Sequence, residues 1–456
     1  MVKKSPNYNA NNNETIKILC EQFKKHNYID PQLFSTLNVK RGLRNVDGSG
    51  VLAGLTLICN VHGYVMCDDE KTPEEGSLTY RGFDINDIVN DCILNKRFGF
   101  EEVIYLLIFG VLPKQDELLN FKNVLASCRD LPEGFLEDVI LKRPSKNIMN
   151  KIQTSILSLY TYDEFSEANT IEQELKKAIE IIARMSNIMI SAYRSYCRAF
   201  NKEGLIVHSI NREETIAQSI LSTLRFDRKY SLDEALLLDV LLMIHAEHGG
   251  GNNSTFTCRC LTSTGTDAYS AYSAAIGSLK GPKHGGANQK VMLMIKDIEK
   301  NISDLNDLDE IKNYLEKIID KKVGDKLGLI YGMGHAVYTK SDPRALILKK
   351  CAFKLAKGTQ YENRFKLLEN VEQMAKLVLS KKSNNKAICA NVDLYSGSVY
   401  EMLKIPCDLY TPLFATARIA GWAAHRMEEI LTGKRIIRPA YKPVTKKIKY
   451  IPMKER

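Results

Sequence analysis

Apolar residues recur at helical spacing along most of the chain from Asp84 onward. The longest such run extends from Ile171 to Phe200. Its main stripe consists of Leu175, Ala178, Ile179, Ile182, Met185 and Met189, and further isoleucines widen it. A helix that is apolar over so much of its circumference is buried among other helices. The pattern therefore predicts a large, almost entirely α-helical protein.

Residues that cap helices stand before several of these runs. Asp84 or Asn86 can cap the first of them. Ser231 opens a Ser-Leu-Asp-Glu capping box, and the run after it places His245 and His248 at a helix end, beside three glycines. Further helices are predicted at residues 14–26, 100–110, 286–300, 304–322, 364–380, 396–404 and 412–432.

Strand signals are confined to one region. Residues from Gly48 to Cys67 are rich in Val, Leu, Thr, Ile and Tyr, with glycine breaks, and a turn is predicted from Pro73 to Gly76. The predicted fold class is therefore mostly α, with a short β element near the N-terminus.

Length and composition fit an ordinary globular protein. The 456 residues suggest two to three domains, or one large unit with a smaller one attached. Hydrophobic residues make up 44% and charged residues 26%, yet no apolar run is as long as a membrane span. The first thirteen residues are polar and lack the apolar core of a secretory signal. We therefore expect neither secretion nor a membrane partner.

The cysteines and the net charge bear on the location of the protein and on its partners. Eleven cysteines are scattered without a Cys-x-x-Cys pair, which favours reduced thiols and a cytoplasmic location. The formal net charge is +10, and part of it lies in the tail from Lys442 to Arg456. No basic motif is interleaved with aromatic residues, so we expect no nucleic-acid partner. Anionic small substrates explain the surplus at least as well, and most of it is typical of a solvated surface.

One candidate for chemistry is His284, within the stretch Gly281 to Asn288 that precedes an apolar-periodic run. Proline and glycines predict a tight turn at the start of a helix. The positive end of that helix and the charge of Lys283 both disfavour imidazolium. His284 is then a neutral donor to a carbonyl oxygen, or it simply fills a helix entrance.

A second candidate is His245-Ala-Glu-His248, whose two histidines share a helical face. This spacing raises the possibility of a metal site. The stretch does not match His-Glu-x-x-His, however, and we expect no metal.

The remaining candidates are a histidine, an aspartate and three arginines. His335 follows two glycines, and Pro343 fixes the chain direction at Arg344, an arrangement that suits bidentate binding of a carboxylate. Asp393 stands in a short apolar run, where a lone aspartate is usually a helix cap. Arg418 lies in an apolar helix, and Arg438 in the loop after it. Together with the other histidines, this set fits an acid–base reaction on a substrate with more than one carboxylate.

At these residues the sequence resembles the citrate synthase family, which includes citrate synthases and 2-methylcitrate synthases. The matching stretches, in the family's order from about residue 40 to 440, are GSLTYRGFDI, HAEHGGGNNST, GPKHGGANQ, GMGHAVYTKSDPRA, NVDLYSG, FATARIAGWAAH and RIIRP. The resemblance implies a mostly helical homodimer whose subunits each have two domains. We expect a tail and short helix at 1–40, a large domain at 41–284 and 386–456, and a small domain at 285–385 that closes over the active site.

The resemblance also implies three catalytic residues. Asp393 is the base that removes a methyl proton from acetyl-CoA, and His284 hydrogen-bonds the thioester oxygen. His335 protonates the carbonyl of oxaloacetate as the carbon–carbon bond forms. Citryl-CoA is then hydrolysed to citrate and CoA, a reaction of the tricarboxylic acid cycle. No cofactor is implied, because acetyl-CoA is a substrate.

Four further residues are implied for oxaloacetate. His248, Arg344 and Arg418 hold its carboxylates and carbonyl, and Arg438 comes from the partner subunit of the dimer. 

Contacts with CoA are predicted at Gly332, Gly334 and Lys340. Many bacterial members of the family have an arginine directly after the second catalytic histidine and a basic residue four positions after it. This chain has Ala336 and Thr339 there, so the resemblance carries no CoA phosphate contact to those two positions.

Three other functions compete with a citrate synthase. A 2-methylcitrate synthase uses propionyl-CoA with the same residues, and one methylene changes binding by only about 1–3 kcal/mol. A metal-dependent hydrolase centred on His245, Glu247 and His248 is a rival from another class. A non-catalytic helical scaffold is the third, and the intact catalytic set argues against it.

Overall fold

The computed structural model describes residues 9–67, 70–382, 387–445 and 447–456. Its contacts define two units, one ending at Gly54 and the other running from Leu55 to Arg456. The N-terminal unit contains helices α1 (Asn9–His26) and α2 (Gln32–Thr36). Helix α1 begins at Asn9, earlier than the predicted start at residue 14. An asparagine within a helix costs only about 0.7 kcal/mol relative to alanine, so the asparagines before residue 14 do not end the helix. Residues 1–8 of the predicted tail lie outside the described residues.

The larger unit begins with a small antiparallel sheet. Its strands are β1 (Cys59–Cys67), β2 (Glu70–Tyr80) and β3 (Phe83–Asp84), paired in that order. The strand prediction over 48–67 is therefore correct only from Cys59 onward. Residues 51–57 are exposed and form no strand. Their backbone makes isolated hydrogen bonds, from Val51 N–H to the carbonyl of Leu43 and from Leu57 N–H to Glu428 Oε1, and these do not build a ladder.

The turn predicted from Pro73 to Gly76 is wrong, because these residues lie inside β2. Pro73 pairs with Tyr64, beside a register shift in β1. Strand β3 pairs only with the last two residues of β2, so no strand needs the missing N–H of the proline. Proline is tolerated at such an edge.

Fifteen α-helices follow the sheet in the described residues. The first eight are α3 (Ile85–Leu94), α4 (Phe100–Phe109), α5 (Gln115–Ser127), α6 (Ile148–Ser158), α7 (Ile171–Tyr196), α8 (Ile216–Leu224), α9 (Leu232–His245) and α10 (Asn253–Thr262). The others are α11 (Ala268–Leu279), α12 (Ala287–Asn301), α13 (Leu308–Ile319), α14 (Pro343–Ala356), α15 (Glu362–Lys382), α16 (Asp393–Met402) and α17 (Tyr410–Thr432). Every helix predicted from the apolar pattern is present, with ends shifted by a few residues, whereas α5, α6, α8, α10, α11 and α14 were not predicted.

Two predicted helix starts are confirmed at atomic level. The Asp84 side chain accepts a hydrogen bond from the Asn86 backbone, so Asp84 is the cap of α3. At α9 the Ser231 side chain accepts from the backbone of Glu234, and the Glu234 side chain accepts from the backbone of Ser231. This is a complete capping box.

Helix α17 is the centre of the larger unit. It is buried along most of its length and packs against α4, α7, α9, α10 and α11. The mostly α fold with a short β element near the N-terminus is thus confirmed. The division into a large domain (41–284 and 386–456) and a small domain (285–385) stays a prediction. Within the described ranges, no helix combines the length and apolarity needed to cross a membrane.

Candidate active site

One face of α17 supports two turns that carry candidate residues. Phe414, Arg418 and Trp422 are spaced by four and therefore lie on the same face. The Phe414 ring lies 4.5 Å from the His245 ring, centre to centre. Arg418 Nε donates to the backbone carbonyl of His245 at 2.7 Å. Trp422 Nε1 donates to Ser254 Oγ at 3.3 Å, so the same face also holds the first turn of α10.

Arg418 is completely buried, yet only part of its guanidinium is satisfied. Its Nη1 and Nη2 have no hydrogen-bond partner among the described residues. Leaving charged donors unsatisfied in the interior is costly, so such a group normally binds an anion. Arg418 therefore has the properties expected of a buried receptor for a carboxylate.

The turn at the end of α9 is held from two sides. Glu247 accepts a hydrogen bond from His425 Nε2 at 3.0 Å, and both side chains are fully buried. Tyr80 of β2 donates to the backbone carbonyl of Met243 at 3.0 Å. The position of His248 is thus fixed by α17 and by the sheet, and its Nε2 lies 3.3 Å from the Tyr338 hydroxyl.

The loop that carries His335 packs onto the sheet. Thr339 Oγ1 donates to the carbonyl of Gly63 at 3.0 Å, and the Gly76 N–H donates to Ser341 Oγ at 3.0 Å. A Cβ at Gly63 would lie 2.9 Å from the carbonyl oxygen of Val337, and one at Gly76 only 2.1 Å from that of Ser341. Glycine is needed at both strand positions because the loop backbone approaches so closely.

Three rings meet beneath this loop. His335 stacks on Tyr338 with 4.7 Å between ring centres, and the His248 ring lies edge-on to His335 at 5.0 Å. His335 Nδ1 accepts the N–H groups of Val337 and Tyr338, both at 3.1 Å. A neutral His335 therefore carries its proton on Nε2, which makes that nitrogen a hydrogen-bond donor.

Arg344 is buried beside the same rings. Asp342 caps α14, and Pro343 occupies the first helical position. The two oxygens of Asp342 accept from Arg344 Nε at 3.0 Å and from Nη2 at 2.7 Å. Because Asp342 occupies one edge of the Arg344 guanidinium, the orientation of the guanidinium is fixed. The sequence attributed this orientation to Pro343 alone.

Asp393 is joined to the His335 loop by a short piece of antiparallel pairing. Asn391 N–H donates to the carbonyl of Gly332 at 2.9 Å, and Gly334 N–H donates to the carbonyl of Cys389 at 2.8 Å. Gly332 has φ of 81°, and a Cβ there would lie 2.9 Å from Leu394. Asp393 itself is the first residue of α16, where the positive end of the helix favours a carboxylate.

His284 lies in the turn before α12, as predicted. Its Nε2 is 3.1 Å from Ser254 Oγ, which in turn lies 2.9 Å from Asn252 Oδ1. Trp422 already donates to that hydroxyl. The single Ser254 proton can be donated to Asn252 Oδ1 or to His284 Nε2. In the second case the proton of the neutral imidazole is on Nδ1.

Burial sets the protonation states of the site. It lowers the pKa of His284 to about 4, with help from the charge of Arg418. It also lowers the pKa values of His245 and His248 well below the usual range, with Arg344 as the next cause. The predicted neutral state of His284 is confirmed, but burial and Arg418 account for it, instead of Lys283 and the helix.

Burial shifts the pKa of the Asp393 carboxyl in the opposite direction. Burial raises the pKa of Asp393 to about 6, and the positive charge of Arg344 limits the rise. At neutral pH Asp393 is therefore mostly ionised, but it is a stronger base than an ordinary aspartate.

The structure brings six of the seven predicted catalytic and oxaloacetate-binding residues together through these contacts and charges: His248, His284, His335, Arg344, Asp393 and Arg418. Arg438 is exposed and forms no hydrogen bond or ion pair with any described residue. Of the predicted CoA contacts, Gly332 and Gly334 form the pairing that positions Asp393, and Lys340 is exposed.

Several supporting residues were not predicted. Tyr338 and Asp342 lie within the motif of His335, and Ser254 lies within that of His248. Their place in those motifs was a usable signal. Trp422 could also have been predicted, because it lies four residues after Arg418 and therefore on the same face of the helix.

A metal site is not apparent. No group of three or more His, Cys, Asp or Glu residues in the described part of the chain could hold a metal ion. Glu247 is occupied by His425, so it does not complete a site with His245 and His248.

The geometry defines a helical protein with a buried site of two arginines, neutral histidines and one basic carboxylate. The family profile described as "Citrate synthase, C-terminal domain" matches residues 45–440. The chain is 33% identical over 397 residues to a citrate synthase of Haloferax volcanii, covering 84% of this chain and 94% of that protein. It is 30% identical over 428 residues to 2-methylcitrate synthase 1 of Corynebacterium glutamicum, covering 92% of this chain and 100% of that protein.

Solved structures agree with these sequence matches. The citrate synthase of Thermoplasma acidophilum, in a ternary complex with carboxymethyl-coenzyme A and oxaloacetate, superposes with a TM-score of 0.73 at 26% identity, covering 92% of this chain and 99% of that one. The citrate synthase of Thermotoga maritima gives a TM-score of 0.71 at 28% identity, with the same coverage. The chain belongs to the citrate synthase family.

Proposed function

We propose that this protein is a citrate synthase that condenses acetyl-CoA with oxaloacetate and hydrolyses the resulting citryl-CoA. The observation that carries the proposal is Arg418, which is fully buried with two unsatisfied nitrogens. It lies in one cluster with Arg344, whose charge also acts on Asp393. A dicarboxylate satisfies both arginines and places its carbonyl near the neutral histidines.

The reaction follows from the protonation states. The Asp393 carboxylate takes a proton from the methyl group of acetyl-CoA, while His284 donates a hydrogen bond to the thioester oxygen, on which negative charge develops. A carboxylate is a weak base for such a proton, so both events must occur together in a site that excludes water. A neutral histidine avoids the cost of a buried imidazolium.

The second half of the reaction uses His335. The enolate carbon bonds to the carbonyl carbon of oxaloacetate, and the carbonyl oxygen takes the proton from His335 Nε2 to become a hydroxyl. Its Nδ1 already accepts two backbone N–H groups, which holds the ring ready to donate from the other nitrogen. Water then cleaves the thioester: its hydroxyl group goes to the acyl carbon and its other proton to the departing CoA thiolate, which releases CoA and citrate. The proton taken by Asp393 is given up again and His335 regains one, so both residues return to their starting states.

The test is release of the CoA thiol with oxaloacetate as acceptor. We expect kcat/KM with acetyl-CoA to exceed that with propionyl-CoA by at least roughly tenfold, the usual effect of one methylene. A preference for propionyl-CoA would instead make the protein a 2-methylcitrate synthase, as for the Corynebacterium relative. No thiol release with either would overturn the proposed chemistry.

Activity is expected to depend on pH through Asp393. With its pKa at about 6, kcat/KM should be constant near pH 7–8 and fall about tenfold per pH unit well below pH 6. The sign follows because the protonated carboxyl cannot accept the methyl proton. His284 stays neutral down to about pH 4, so it adds no loss in this range. A profile that stays flat to pH 5 would contradict the assignment.

Chelators are expected to leave turnover unchanged. The reaction needs no metal, and the comparisons lend no support to the hydrolase centred on His245, Glu247 and His248. Thiol release should be compared before and after dialysis against EDTA, with a known zinc enzyme treated in parallel. Loss of activity that zinc restores would revive the hydrolase.

A further inference from the structure

One buried carboxylate beside the site takes no part in the proposed reaction. Glu247 is fully buried in the turn between α9 and α10. Its Oε1 accepts two hydrogen bonds, from His425 Nε2 at 3.0 Å and from the Gly249 N–H at 2.5 Å. Its Oε2 has no hydrogen-bond partner within the described part of the chain. One oxygen therefore holds the turn, whereas the other adds only negative charge to the interior.

The side chain of Glu247 is kept in its ionised form. Arg259 Nε donates to His425 Nδ1 at 3.0 Å, so the proton of a neutral His425 is on Nε2 and points to Glu247. Burial alone would raise the pKa of Glu247, but His425, Arg418 and the Gly249 N–H outweigh burial and lower this pKa. Glu247 is therefore negatively charged at neutral pH.

The charge of Glu247 acts on Arg418 from a distance. Burial lowers the pKa of Arg418, and the charge of Glu247 is the largest influence that opposes this change. Glu247 nevertheless leaves Nη1 and Nη2 of Arg418 without a hydrogen bond. Asp342 differs, because it occupies one edge of the Arg344 guanidinium. Glu247 thus balances the buried charge of Arg418 without occupying the nitrogens that bind a carboxylate.

We propose that Glu247 is a built-in counter-charge that weakens the binding of polycarboxylates at Arg418 and so favours release of the product. An anion at Arg418 is attracted by the guanidinium and repelled by Glu247, and a buried site screens neither interaction well. The repulsion grows with the charge of the ligand, so it is larger for citrate, with three carboxylates, than for oxaloacetate, with two. The identity of these two ligands rests on the proposed function.

The variant Glu247→Gln removes the charge and keeps the shape of the side chain. Its amide oxygen can accept both hydrogen bonds of Oε1, and its nitrogen replaces Oε2, which accepts none. Calorimetry with the full chain at neutral pH measures the Kd of each ligand. We expect the Kd of oxaloacetate to fall at least about tenfold and that of citrate roughly thirtyfold, because the repulsion scales with ligand charge. A merely structural role predicts weaker binding, so weaker or unchanged binding would overturn the proposal.

A second variant decides the question if Glu247→Gln does not fold. His425→Met removes the Nε2 donor, so the pKa of the buried Glu247 carboxyl should rise. The other charged or titratable groups around this carboxyl are Arg418 of α17, Arg259 of α10, Tyr80 of β2 and Cys59 of β1. Burial raises the pKa values of the phenol and the thiol, so both stay uncharged.

The expected result for His425→Met is a change with pH. The Kd for oxaloacetate, divided by that of the unmodified protein, should fall at least about threefold between about pH 8 and pH 6, because protonation of Glu247 removes the repulsion. Asp393 titrates in both proteins and cancels in this ratio. A ratio that does not change with pH would contradict the counter-charge.

Glu428→Gln is the matched control. Glu428 is also a buried carboxylate and forms an ion pair with Arg259. It lies ten positions after Arg418 on α17, which is about 15 Å along the helix. We expect its substitution to leave both Kd values within about twofold. Equal tightening in Glu428→Gln and Glu247→Gln would overturn the assignment to Glu247.

The unmodified protein separates this inference from the proposed function. If it neither binds oxaloacetate nor releases thiol from acetyl-CoA, the proposed function fails. If it does both, and Glu247→Gln binds oxaloacetate and citrate no more tightly, the function stands and only the counter-charge is wrong. We expect tighter binding of both ligands, with the larger change for citrate.

Discussion

Replacing Asp393 by asparagine is expected to lower turnover at saturating substrates by at least about a hundredfold, the usual contribution of a positioned base. The amide has the same shape as the carboxyl but cannot take a proton. The backbone N–H of residue 393, which donates to Asn391 Oδ1 at 3.0 Å, is kept. Fold and oxaloacetate binding should therefore survive. Thiol release measures the loss, and calorimetry with oxaloacetate measures the binding.

Two measurements separate a base from a structural aspartate. Asp408→Asn, at an exposed position in the same part of the chain, should retain full activity. The residual turnover of Asp393→Asn should also lose the fall below pH 6, because the group that titrates has been removed. Near-normal turnover of Asp393→Asn would reduce Asp393 to a residue that favours the start of α16.

The pattern of apolar residues was sufficient to predict the long helices but not the short buried ones. Helix α7 shows a clear stripe, and α9 has a capping box, so both appear in the sequence alone. Helices α10 and α11 carry serine, threonine, alanine and glycine where they pack closely against each other and against α17. Small residues at a helix contact give little periodic contrast, and tertiary packing then decides the structure.

The strand error has a related cause. Pro73 and Gly76 are turn residues by their local chemistry. The structure uses them within β2 because the 335–343 loop approaches the strand closely at Gly76 and because β3, on the other side of β2 from β1, does not reach Pro73. A contact between segments more than 250 positions apart cannot be read from local sequence.

The site was more predictable than the fold around it. Histidines among glycines, Arg344 after a proline and Arg418 in an apolar helix marked its positions, and the family resemblance added Asp393 as the base. The structure brings six of the predicted residues together. The sequence did not indicate how each is oriented. Two backbone N–H groups donate to His335 Nδ1, and Asp342 forms an ion pair with Arg344. Both arrangements depend on the conformation of the loop.

Arg438 is the one predicted oxaloacetate ligand that the single chain leaves outside the cluster. It is exposed in the irregular segment after α17 and has no charged partner among the residues described. The backbone N–H of the preceding residue, Ile437, donates to Ser263 Oγ at 3.1 Å, so the segment is held to the surface of the unit. These features fit a side chain that completes the active site of a second copy.

Mixed dimers provide the test. Asp393→Ala and Arg438→Ala should each be inactive alone. Co-expression with two different affinity tags allows the heterodimer to be isolated. If Arg438 acts in the partner's site, one site of the heterodimer carries both changes and the other is intact, so activity should return to about half that of the unmodified dimer.

The alternative assignment of Arg438 predicts a different activity for the heterodimer. If Arg438 serves its own subunit, each site of the heterodimer keeps one change and the preparation stays inactive. A heterodimer of Asp393→Ala with Arg418→Ala is the matched control, because buried Arg418 bonds His245 of its own chain and so belongs to the same site as Asp393. That control should show no recovery. We expect activity from the Arg438 mixture alone, because the resemblance to the family assigns Arg438, and not Arg418, to the partner's site.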